Sequence, residues 1–127
     1  KKLFNMSVLK PLTEDEKEIA GRIVANLQKF FVGKEKAKMG HEIVSGLKAK
    51  GHKIDGIRLR KIVNWLRRSG YPVCSDTHNG YYWASNANDI IECIKSNKER
   101  ADGILAANEG LKKGIQKYFM YSGVESK

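Results

Sequence analysis

The chain has 127 residues, enough for one domain with a modest core and too few for two independent ones. With 41% hydrophobic and 30% charged residues it reads as globular rather than disordered, and no apolar run reaches the ~18 residues that a membrane span requires. The formal net charge of +10 is concentrated: residues 33–70 hold eleven basic and three acidic side chains, a net +8, while 1–32 contribute +2 and 71–127 contribute nothing.

Residues 1–12 read as a loose lead-in ending near Pro11. Thr13-Glu14-Asp15-Glu16 is a capping box: the Thr13 hydroxyl can accept from the backbone N–H three residues on, and Glu16 can reach back. Ile19, Ile23, Val24, Leu27, Phe30 and Phe31 follow at helical spacing, which predicts a helix over 14–31 stopped by Gly33. A second helix is expected over 40–50, with Ile43, Val44 and Leu47 as its apolar stripe and Gly51 as its end. Its start, Met39-Gly40, lacks the usual Ser or Thr cap. Asp55 caps a third helix that runs to Arg68 and is closed by Gly70 and Pro72.

Behind it, Asn79-Gly80 lies between β-favouring segments, the signal for a hairpin with a type I′ turn, positive φ at both central residues and its tip at 77–80. From a cap near Asn86 to Phe119 the pattern is one long helix with an apolar stripe at Ile90, Ile91, Ile94, Ala101, Ile104, Leu105, Leu111 and Ile115. Gly103, Ala107, Gly110 and Gly114 fall together on one face. Either the helix breaks there or a partner helix approaches closely, since each glycine costs ~1 kcal/mol in a helix interior.

Helix, helix, turn, helix, hairpin is the order of a winged helix-turn-helix, whose third helix enters the DNA major groove while the hairpin touches the flanking backbone. The expected fold class is therefore mainly α with a small β-hairpin, a winged helix-turn-helix with a long C-terminal helix. On a helical wheel Leu59, Ile62, Val63 and Leu66 form the core side of the third helix. Ile57, Lys61, Asn64 and Arg68 lie opposite, with Arg60 on one flank and Arg58 and Trp65 on the other. Arg and Lys suit guanine edges and phosphates, and Asn suits adenine. The expected DNA-binding residues are thus Ile57, Arg58, Arg60, Lys61, Asn64 and Arg68. Lys53, Lys38 and His41 near helix starts join them, as do His78 and Asn79 at the hairpin tip. Trp65 and Trp83 read as packing aromatics.

The run Leu59-Arg60-Lys61-Ile62-Val63-Asn64-Trp65-Leu66-Arg67-Arg68-Ser69-Gly70-Tyr71-Pro72-Val73-Cys74-Ser75-Asp76, followed by Asn79-Gly80-Tyr81-Tyr82, resembles winged-helix modules encoded by bacteriophages and prophages. The resemblance covers residues 34–115. It implies a double-stranded DNA partner and a role in phage replication initiation or transcriptional regulation, alongside replication or transcription proteins in the bacterial cytoplasm.

The expected organisation is a lead-in (1–12), a winged-helix DNA-binding domain (13–85), a C-terminal helix (86–120) and a tail (121–127). The C-terminal helix either folds back on the helix of 14–31 to complete a monomeric core or pairs two chains into a homodimer through its small-residue face. Asn97, Lys98 and Asn108 interrupt its heptads. Cys74 and Cys93 lack metal-ligand or CxxC spacing and are expected as reduced thiols, and His41, His52 and His78 match no metal pattern. No nucleophile–base pair or phosphate loop is visible, so neither catalysis nor a cofactor is expected. A protein-docking adaptor is the alternative to a DNA binder.

Overall fold

In the computed structural model residues 11–120 are described; most of the lead-in and all of the tail lie outside them. The protein is mainly helical, with one small antiparallel hairpin and a long C-terminal helix. The order is α1 (Glu14–Phe30), a 3-10 turn (Lys34–Lys36), α2 (Gly40–Ala49), α3 (Gly56–Arg68), β1 (Val73–Asp76), β2 (Gly80–Trp83) and α4 (Ala87–Ile115). A π-helical turn (Gln116–Met120) follows. The chain forms two compact units, Lys1–Ile90 and Ile91–Lys127.

Local chemistry sets the helix ends. Thr13 Oγ1 accepts from Glu16 N at 3.1 Å and Thr13 N donates to Glu16 Oε1 at 3.0 Å, the reciprocal box expected from the sequence. The start of α2 is less conventional. Met39 has no oxygen to offer, so Glu42 alone reaches back, accepting from Met39 N at 3.2 Å. Asp55 Oδ1 caps α3 through Arg58 N at 2.8 Å. Both α2 and α3 close in Schellman motifs around Gly51 and Gly70: His52 N donates to Leu47 O, and Tyr71 N to Leu66 O.

The core of the first unit joins Ile19, Ile23 and Leu27 of α1 to Leu47 of α2, Leu59, Ile62, Val63 and Leu66 of α3, and Val73 of β1. The buried face of α3 is the one its periodicity predicted. Ile62 is fully buried, so Ile62→Ala is expected to cost about 2–5 kcal/mol by leaving a cavity. Thermal melting checks it; a melting point near that of the parent would mean that the site collapses around the smaller side chain.

Two features differ from the sequence reading. The hairpin does not use a type I′ turn, because among the described residues none other than glycine has positive φ and Asn79 is therefore ordinary backbone. Asp76 pairs with Gly80, which leaves Thr77, His78 and Asn79 as a three-residue loop. The Asp76 carboxylate organises it, accepting from His78 N at 2.9 Å and Asn79 Nδ2 at 3.0 Å. An Asx turn has displaced the Asn-Gly turn.

The second difference is at the other edge of β2, where residues on either side of the 3-10 turn add backbone pairing. Lys38 and Tyr81 exchange two hydrogen bonds of 2.8 Å. Gly33 N donates to Trp83 O, and Trp83 N to Phe31 O, also at 2.8 Å. The hairpin is thereby tied to the connection between α1 and α2. Nothing in the sequence of 32–38 resembles a strand.

The helix α4 starts as read: Asn86 Oδ1 accepts from Asp89 N at 3.0 Å, and the Asp89 carboxylate takes the Ser85 N–H and hydroxyl. It runs unbroken through Gly103, Gly110 and Gly114. Of the two alternatives posed by those glycines, the break is the one overturned.

Candidate nucleic-acid interface

A single buried carboxylate ties α1 to α3. Glu16 lies on the same side of α1 as Ile19, Ala20 and Ile23 and is buried with them. Its Oε1 accepts from Lys61 Nζ at 2.8 Å and its Oε2 from Arg58 Nε at 3.0 Å, while Oε1 also keeps its bond to Thr13 N. The hydrogen bond from Lys61 is the largest of several influences that hold this carboxyl down at about 2, against an ordinary value of 4.5; burial opposes them and loses. Two further ties are peripheral. His52 Nδ1 sits 3.5 Å from Asp15 Oδ1. Arg67 donates to Val73 O at 2.7 Å and Ser75 Oγ at 2.9 Å, joining the end of α3 to β1.

These bonds sort the predicted binding residues. Arg58 and Lys61, expected on the DNA side, are turned toward α1 and engaged by Glu16. Arg58 additionally donates to Lys53 O at 2.8 Å. The correction is electrostatic, since a buried carboxylate must be neutralised and these two cations are within reach. Sequence reasoning gave Glu16 only its capping duty. The available signal was its wheel position, three residues before Ile19 on the apolar side.

Ile57, Arg60, Asn64 and Arg68 remain as an exposed row along the outer face of α3, spaced three or four residues apart. Arg60, Asn64 and Arg68 have no side-chain hydrogen bond or ion pair among the described residues, so their donors are available. Ile57 is 70% exposed at the N-terminal end of the row. At the hairpin tip His78 and Asn79 are exposed, with Asn79 held by Asp76.

Lys38 immediately precedes Met39, the N-cap of α2. Its backbone pairs with Tyr81, and its ammonium lies over the Phe31 ring, 5.0 Å from the centroid. His41, in the first turn of α2, and Lys53, in the α2–α3 connection, are exposed. Among the described residues no group of three or more His, Cys, Asp or Glu could hold a metal ion. Cys74 and Cys93 are both buried, and the Cys74 thiol donates to Asp89 O at 3.7 Å. No helix among the described residues is long and apolar enough to cross a membrane.

Comparison with known protein families, with characterised proteins and with solved structures gives no match for this chain. A functional reading therefore rests on the residues themselves: a charge block, an exposed polar row on one helix, and a hairpin braced beside it.

Proposed function

We propose that the protein is a winged helix-turn-helix that binds duplex DNA, with α3 as the reading helix and the hairpin as the wing. The phage-type role in replication initiation or transcriptional regulation belongs to the same proposal. The observation that carries it is the row Ile57, Arg60, Asn64 and Arg68, exposed on a helix whose other cations are engaged internally, Arg58 and Lys61 by Glu16 and Arg67 by Val73 O and Ser75 Oγ. The extra pairing of Tyr81 with Lys38 and of Trp83 with Phe31 and Gly33 supports the wing by bracing β2 along its length.

Major-groove reading needs donors at one-turn intervals on a helix fixed by its opposite side. Arg60 and Arg68 would take guanine edges or phosphates, and Asn64 an adenine. Lys53, His41 and His78 would take phosphates at the periphery. With Arg58 and Lys61 occupied, the charge available for counterion release is smaller than the +8 of residues 33–70. About 4–6 phosphates neutralised per chain would make log K fall with log[salt] at a slope of about −3.6 to −5.4.

Asn64→Ala and Arg60→Ala are each expected to weaken binding to a selected site by about 1–3 kcal/mol and to relax preference at one base pair, with melting temperatures unchanged. Site selection on random duplex DNA, followed by titration at several salt concentrations, checks both statements. A slope near zero, or equal binding by the Asn64→Ala and Arg60→Ala chains, would defeat the reading.

A groove between α1 and α2 favours a second reading, a protein-docking adaptor. Ile23, Leu27, Ile43 and Leu47 floor it, and Phe30 is exposed at its edge. Substituting Phe30 would then abolish the function while Asn64→Ala would leave it intact.

A further inference from the structure

We propose that α4 pairs with α4 of a second copy as an antiparallel two-stranded coiled coil, joined along a heptad seam rather than along its small-residue face. Ile94, Ala101, Asn108 and Ile115 recur every seven residues, and Asn97, Ile104 and Leu111 recur three residues behind each of the first three. These are the a and d positions of one continuous seam. Asn97 and Asn108, which look like interruptions, fall on the seam itself.

Its large members are uncovered: Ile94, Ile104, Leu111 and Ile115 are between 52 and 70% exposed, as are the flanking Ile91 and Leu105. At on the order of 100 Å² each, six such side chains offer roughly 600 Å² of apolar surface per helix, close to the ~800 Å² per partner of a standard interface. By contrast, Gly103, Gly110 and Gly114 have open space around them and no bulk to bury.

Charge permits a second copy as the occupant. Residues 87–115 contain five basic and five acidic side chains, whereas the whole chain carries +10. This helix has no net charge to repel its own copy or to draw in a strongly charged partner.

The order of residues fixes the direction. When the helices run oppositely about a two-fold axis at the level of Asp102 and Gly103, every layer matches. Ile94 meets Leu111, Asn97 meets Asn108, and the small Ala101 meets the large Ile104. On the flanks Lys98 faces Leu105, Lys112 faces Ile91 and Arg100 faces Ala107, so no like charges oppose. A parallel pair would stack Ala101 on Ala101 and leave the centre underfilled. Paired asparagines at matched depth suit a register-setting role. This pairing stands independently of the DNA reading.

Sedimentation equilibrium of the full chain at high micromolar concentration is expected to give twice the chain mass. Ile104→Lys with Leu111→Lys should return it to one chain mass, with the circular-dichroism melt of the first unit retained. A single-chain mass for the unsubstituted protein overturns the proposal, whether or not the substituted chain folds. So does a higher oligomer.

Direction is read by cross-linking on a Cys93→Ser background. A chain with Ile94→Cys mixed with a chain carrying Leu111→Cys is expected to form a disulfide between the two, and neither should link efficiently to itself. Self-linking of the Ile94→Cys chain indicates a parallel pair and overturns the antiparallel assignment.

Discussion

Replacing Gly80 by valine is expected to cost about 3–5 kcal/mol and to detach the hairpin from the segment before α2. Gly80 has a φ of 103°, a conformation that β-branched residues strongly resist. Space forbids the change independently: a Cβ would overlap the carbonyl oxygen of Lys38 and come within 2.7 Å of Met39 Cα, both backbone atoms. Relief requires Lys38 to move, and with it the two hydrogen bonds to Tyr81. Asn79→Ala is the matched control. It removes a single exposed hydrogen bond to Asp76 and is expected to cost under about 1 kcal/mol. Amide exchange at Lys38 and Tyr81, with thermal melts, separates the two. Equal effects at positions 79 and 80 would restore the type I′ turn; a Gly80→Val chain that melts like its parent would refute the close approach.

Glu16→Gln is expected to destabilise the protein by about 2–3 kcal/mol, a fall in melting temperature of roughly 10–20 °C. The figure is set below the ~3–5 kcal/mol for breaking a fully buried pair, because the Arg58 and Lys61 side chains are each 35% exposed and water can take over part of their solvation. The carboxyl is held at about 2 in the fold against 4.5 ordinarily. A group depressed in this way contributes its stabilisation fully above the unfolded value and loses it as pH falls from about 4.5 toward about 2. The parent should therefore lose stability over that window, and the Glu16→Gln chain should show a shallower decline. Parallel acid titrations of the two melts would contradict the Glu16 assignment. Because Gln still accepts a hydrogen bond, the difference isolates charge from shape.

The helices were legible because each signal is short in sequence. Thr13 and Glu16 are three residues apart, Asp55 caps the turn it precedes, and the four apolar positions of α3 repeat within one helix. What escaped reading was long in sequence and local in space. Glu16 meets residues 42 and 45 positions away, and no local pattern states which cations a buried acid will claim. Lys38 and Val32 join β2 one residue at a time, too briefly to leave a β-type alternation. The turn failed for a narrower reason: Asp76, one residue before the loop, competes for the same backbone with a stronger side-chain acceptor. Of the candidate site, the outer row of α3 was read directly from the wheel, whereas Arg58 and Lys61 were assigned to the DNA side because a wheel knows angle and not neighbours.

Both tryptophans lie in elements proposed to touch DNA. Trp65 is half-buried on α3, next to Asn64. Trp83 sits in β2, where its backbone holds the bridge to residues 31–33 and its ring meets Tyr71 edge to face at 6.5 Å. Neither lies in the 29 residues of α4. The chain therefore carries its own optical probes for one event and none within the helix assigned to the other. Indole emission follows a ligand arriving at the outer face of α3 without an added dye, while assembly along α4 is followed by mass. Two titrations on one unlabelled sample thus report the two events by separate physical signals.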